Sequence, residues 1–160
     1  MVIGDNPLSA KVLAPKLITE FVGTLFITLA MGMTMKENPQ APLAVAGTLM
    51  AMVYTGAHIS GAHYNPTVTI AVWVRGACKW QEMLLYILFQ IMGAYGGGGL
   101  ARAFTGADKL GYPTFHYYWH AAIVEFVWSV LWATVVLNTA SSSSTVNNSC
   151  ESSRGALMTS

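Results

Sequence analysis

The chain sets long apolar runs apart with short polar ones. A bilayer core takes about 20 mainly apolar residues per helix. Four windows have that length, at about 15–35, 41–60, 80–104 and 117–140, and each predicts a membrane-spanning helix. Between the second and third lies GAHISGAHYNPTVTIAVWVRG, residues 56–76, which holds His58, His63 and the pair Asn65-Pro66. The apolar run that follows, TVTIAVWVRG, is too short to cross. Asn is a favoured N-cap and Pro a favoured first helical residue, so a short re-entrant helix is predicted over about 66–75. Non-helical backbone is tolerated at membrane depth only where protein buries it or water lines it. Gly56 to Tyr64 is predicted to be such backbone, with its carbonyls on a wet path. A Pro-kinked helix, or a loop outside the membrane, would fit the same residues.

Composition strengthens the membrane reading. Only 9% of the 160 residues are charged, against about 25% in a soluble domain. The expected fold class is therefore an all-α membrane protein with four spans and one half-helix, and the lipid bilayer is its first partner. The net charge of +1, with no basic cluster, argues against a nucleic-acid partner. Trp73, Trp80, Tyr112, Tyr117, Tyr118 and Trp119 lie near the ends of runs, as interfacial anchors do.

The candidate chemistry is sparse. Cys78 and Cys150 have no motif spacing. His58 and His63 are five apart and share no helical face. His116 and His120 are four apart but stand among interfacial aromatics, where water-facing imidazoles are the ordinary outcome. No metal site, cofactor or catalytic constellation is expected. A small membrane enzyme or metal-binding protein finds no support in the sequence.

Residues 1–14 lack the pattern of a cleaved signal and are expected to be a short retained tail. With the N-terminus in the cytosol, the inner side carries Lys11, Lys16, Arg75, Lys79 and Arg154, and the outer side Lys36, Arg102 and Lys109. That excess favours a cytoplasmic N-terminus. The serine-rich residues 141–160 are expected to be a disordered polar tail. Their Asn147-Asn148-Ser149 is a glycosylation pattern that should stay bare on this topology.

Two carboxylates, Glu20 and Glu125, fall inside apolar windows, where an ionisable group normally faces the protein interior with a partner. Their contexts match, ITEFVGTLFIT against IVEFVWSVLWAT, at an offset of 105 residues. Three spans between copies would invert the second, giving an inverted repeat. The first repeat covers about 15–104, and 117–140 is the first helix of the second. Asn65 lies 45 residues after Glu20, so its counterpart is expected near position 170, past the last residue. Glu20 is expected to accept N–H bonds from the re-entrant loop.

HISGAHYNPTVT resembles the first half-helix motif of the aquaporin, or major intrinsic protein, family, usually SGxHxNPA. The Glu-Phe-Val-Gly-Thr of the first span, Gln90 and Gly93 of the third, and Glu125 of the fourth also match the family pattern. The resemblance covers about 15–149. It implies a tetramer, formed with like or different family subunits, in which each subunit has its own pore for water or small neutral solutes. It implies that Asn65 donates to permeating water and that Pro66 and Thr67 begin the half-helix. Carbonyls of Gly61, Ala62, His63 and Tyr64 would line the path near His58, Val45 would stand at the narrow filter, and Glu20 and Glu125 would brace the loops. The motif departs from the family in Thr67, where alanine is usual. It departs again after Ser149, where CESSRGALMTS stands in place of an apolar fifth span. The implied reading is a chain truncated after its fourth span by splicing, a frameshift or a shortened gene. Without the second half of the wall it is expected to conduct poorly alone. The alternative function is a non-conducting member that associates with full-length subunits and alters their assembly or trafficking.

Overall fold

A computed structural model describes residues 9–34, 38–106 and 117–140. Among them are five helices: α1 (Ala10–Thr34), α2 (Ala41–Ser60), α3 (Pro66–Val74), α4 (Trp80–Thr105) and α5 (Tyr118–Ala140). All except α3 are long and apolar enough to cross a membrane. The fold is all-α, four spans and one half-helix, the partial aquaporin-like arrangement. Residues 107–116, with His116, and residues 141–160, with Asn147, lie outside the described residues.

Two boundaries differ from expectation. α1 starts at Ala10, so residues 10–14 are helix and not tail, and Pro15 sits inside. The Ser9 carbonyl accepts from Val12 and Leu13, which secures the first turn. Leu13 then packs with Leu17 and Tyr86, and this burial outweighs the one bond that the Pro15 nitrogen cannot make. Second, the break starts later: α2 runs to Ser60, where the window 41–60 ends, so Gly56 to Ser60 is helical. The helix stops only at Gly61, whose φ of 90° is left-handed and whose N–H bonds the Ala57 carbonyl. The non-helical stretch thus shrinks to residues 61–65.

α1 and α4 form the central pair. Lipid tails are as apolar as leucine, so close backbone approach does the work that hydrophobic transfer does in water. Gly93 and Gly97 provide it. A Cβ on Gly93 would overlap the Phe21 carbonyl oxygen, and one on Gly97 that of Leu25. Within the run Gly96–Gly99 only Gly97 is indispensable in this sense; a Cβ on Gly99 meets nothing within 4 Å. α2 leans on the other flank of α1. α3 packs against α4 and α5 through Val68, Val72, Ala77 and Cys78, joined by Met83, Val136 and Leu137. The Arg75 guanidinium, just past the end of α3, donates to the Leu137 carbonyl at 2.6 Å. α5 has no buried residue in its apolar span.

Candidate functional site

The site is the five-residue break between α2 and α3. Its shape follows from three residues with positive φ: Gly61 at 90°, Ala62 at 52° and Tyr64 at 51°. Non-glycine residues in this region cost about 1–2 kcal/mol each, so something must hold them there. That something is Glu20, fully buried on α1. Its Oε1 accepts from the Ser60 hydroxyl at 2.6 Å and the His63 N–H at 3.0 Å. Its Oε2 accepts from the Tyr64 N–H at 2.7 Å and the Gln90 Nε2 at 2.8 Å. One carboxylate therefore joins α1, the end of α2, the loop and α4. Charge-assisted hydrogen bonds of this kind are worth about 1.5–3 kcal/mol each.

A second layer fixes the side chains. The Thr69 hydroxyl, fully buried on α3, donates to the Asn65 carbonyl at 3.0 Å. It also accepts from the Gln90 Nε2 at 2.9 Å and lies 3.2 Å from His63 Nδ1. The Tyr86 hydroxyl donates to the Ser60 carbonyl at 2.8 Å, and its ring meets the His63 ring edge-on. Thr24 donates to the Tyr64 carbonyl at 3.3 Å. Tyr64 itself is wedged between α1 and α2. A Cβ on Gly23 or Gly56 would overlap its ring or hydroxyl, and that hydroxyl donates to the Met52 carbonyl at 2.8 Å. The ring borders a groove of about 230 Å³ lined also by Ile18, Val22, Met52 and Thr55.

Asn65 caps α3. Its φ and ψ of −151° and 129° are those of an N-cap, and its Oδ1 accepts from the Thr67 N–H at 2.7 Å. The cap decides the amide orientation, because only oxygen can accept. Nδ2 is left without a partner among the described residues. The carbonyls of Gly61, Ala62 and His63 likewise accept no hydrogen bond there. The break thus holds a donor and three acceptors without partners among the described residues, next to the positive end of a nine-residue helix.

The other candidate residues fall elsewhere. His58 is exposed in the last turn of α2, outside the break. Val45 is half-buried on α2, about 16 Å along the helix from Gly56. Glu125 is exposed on α5, and no group among the described residues pairs with it.

Residues 8–158 match the family described as Major intrinsic protein. The chain belongs to that family. Among curated relatives it is similar to the aquaporin NIP1-1 of Zea mays, 33% identical over 61% of this chain and 38% of the relative. It is also similar to a probable NIP-type aquaporin of Nicotiana alata, 37% identical over 62% of this chain and 40% of the relative. A probable PIP-type aquaporin of Pisum sativum is 29% identical over 59% and 37%. The chain spans about two fifths of the length of these relatives. Family membership and the four apolar helices make it an integral, multi-pass membrane polypeptide.

Sequence reasoning missed a buried ion pair beside this site. Lys16 Nζ lies 2.8 Å from Glu82 Oε1, with both residues almost fully buried between α1 and α4. Lys16 reads in the sequence as an inner-side surface charge. The signal that could have found the pair is Glu82, a carboxylate inside an apolar window like Glu20 and Glu125.

Proposed function

We propose that this chain forms one side of a passive pore for water or small neutral solutes, with Asn65, Pro66 and Thr67 at its narrow point. The observation that carries this reading is the Glu20 cluster. It satisfies the N–H groups of His63 and Tyr64, while Asn65 Nδ2 and the Gly61, Ala62 and His63 carbonyls have no partner among the described residues. A single file of water needs such alternating donors and acceptors, and the positive helix end repels cations. Pro66 sets the first turn of the half-helix, Tyr64 seats the loop, and Val45 stands at a separate constriction. The N-terminus lies in the cytosol on this reading, residues 15–140 form the membrane unit, and subunits group as tetramers. Osmotic swelling of vesicles holding only this chain tests it. Water permeability above that of protein-free vesicles is expected, though low for a chain that forms one side of the wall.

Glu125 favours a second reading. Its context matches that of Glu20, yet Glu20 holds four donors and Glu125 none. An unpaired carboxylate in lipid costs several kcal/mol, so α5 is suited to a face supplied by another polypeptide. On this reading the chain associates with full-length family subunits and alters their assembly. Inert vesicles, together with co-purification of a full-length relative, would favour it.

A further inference from the structure

Cations gather at one end of this protein. α1 and α4 run parallel, because their contacts advance together. Lys16 meets Glu82, Glu20 meets Gln90, Phe21 lies against Gly93 and Leu25 against Gly97. Lys11 stands five residues before Lys16, and Lys79 three before Glu82. Both lysines therefore lie within about 8 Å of that ion pair along the helix axes, on the same side of it. Arg75 follows the last residue of α3, four residues before Lys79, and so reaches the same end. Lys11 and Arg75 are exposed and Lys79 is half-buried.

No carboxylate among the described residues answers these three charges. Glu82 is bound inside to Lys16. Glu20 already holds four donors at the break. Glu125 lies about 18 Å along α5 from Leu137, the residue whose carbonyl meets Arg75. The opposite end carries one charge among the described residues, Arg102. The depth of the cationic end is marked as well. Trp73 and Trp80 bracket the turn from α3 to α4 and are 41% and 57% exposed. Tryptophan settles at headgroup level, so Arg75 and Lys79 lie in the layer of the lipid phosphates.

We propose that this end is a binding surface for an anionic phospholipid headgroup, a phosphodiester with no ammonium of its own, such as that of phosphatidylglycerol. A positive excess on one side is enough to orient a chain in the membrane. Three cations from α1, the end of α3 and the start of α4, at one depth and without a carboxylate, also fit a negative group held at that depth. A zwitterionic headgroup fits less well, because these cations repel its ammonium. The surface does not depend on whether the chain conducts.

The test is native mass spectrometry of the full chain, released from micelles with equal amounts of phosphatidylglycerol and phosphatidylcholine. The wild type is expected to retain the anionic lipid in preference. Lys11→Gln and Lys79→Gln are each expected to lower that preference about five-fold, as for one charge near an anionic surface. Lys79→Arg should keep it, and so should Arg102→Gln at the opposite end. The preference is a ratio of two lipids on the same molecules, so a lower yield of folded protein does not move it. Should Lys79→Gln fail to fold, the exposed Lys11 carries the comparison alone. Equal retention of the two lipids by the wild type overturns the proposal. A preference that Arg102→Gln lowers as much as the lysine variants also overturns it, because any surface charge would then do.

Discussion

The Glu20 carboxylate and the Tyr64 backbone N–H meet at 2.7 Å, joining the middle of the first span to a residue forty-four positions later. The bond sits where Tyr64 holds a φ of 51°. Removing the acceptor therefore removes what keeps the break in shape. Glu20→Gln places an amide among four donors and leaves at least one of them unpaired. It is expected to destabilise the fold by about 3–5 kcal/mol. Thermal unfolding in detergent checks this; an unchanged melting temperature would show that the cluster does not hold the loop.

Tyr64 and Gly56 should be energetically coupled. A Cβ on Gly56 would run into the Tyr64 hydroxyl, so Gly56→Ala is expected to destabilise. In a Tyr64→Phe background the penalty should shrink by about 1 kcal/mol, within the usual range for residues in contact. A double-mutant cycle on melting measures the difference. Strict additivity would mean that the ring is not wedged as described.

The glycines of α4 divide by what they touch. Gly97→Ala forces α1 and α4 apart at the Leu25 carbonyl and should lower the melting temperature clearly. Gly99→Ala meets open space, and alanine is the better helix former by about 1 kcal/mol. It should be neutral or stabilising. Equal effects from the two would contradict the close α1–α4 contact.

The ion pair of Lys16 and Glu82 gives an asymmetric prediction. Lys16→Met alone strands a buried carboxylate and should cost about 3–5 kcal/mol. Lys16→Met with Glu82→Leu removes both charges and should recover most of that loss. If the single and double variants melt alike, the pair is not buried as the structure has it.

How much of this was legible in the sequence depends on the range of the signal. The four spans were readable because length and apolarity are local properties, and the start of α3 because Asn-Pro is a local cap. The window 41–60 matches α2, but the non-helical break was begun five residues early, at Gly56. As a helical residue Gly56 makes room for Tyr64, and the stop is the left-handed Gly61. Ala62 and Tyr64 at positive φ could not be foreseen, since neither residue type favours it. Glu20 stood out as a carboxylate in an apolar run. Ser60, Gln90 and Thr69 around it belong to three other helices, and only tertiary packing brings them together. Lys16 was misread because a lysine near a helix end usually reaches water, whereas here Glu82 on α4 draws it inward.

The most direct test of the central claim changes one atom type at the cap. Aspartate caps a helix as well as asparagine does, so Asn65→Asp should keep α3 while replacing the free Nδ2 donor with a charged acceptor. Osmotic swelling of vesicles containing the wild type or Asn65→Asp, at matched protein content and helix content, reads the consequence. The account predicts wild-type water permeability above that of protein-free vesicles and a drop of at least about ten-fold in the variant. Equal permeability in the two would contradict it.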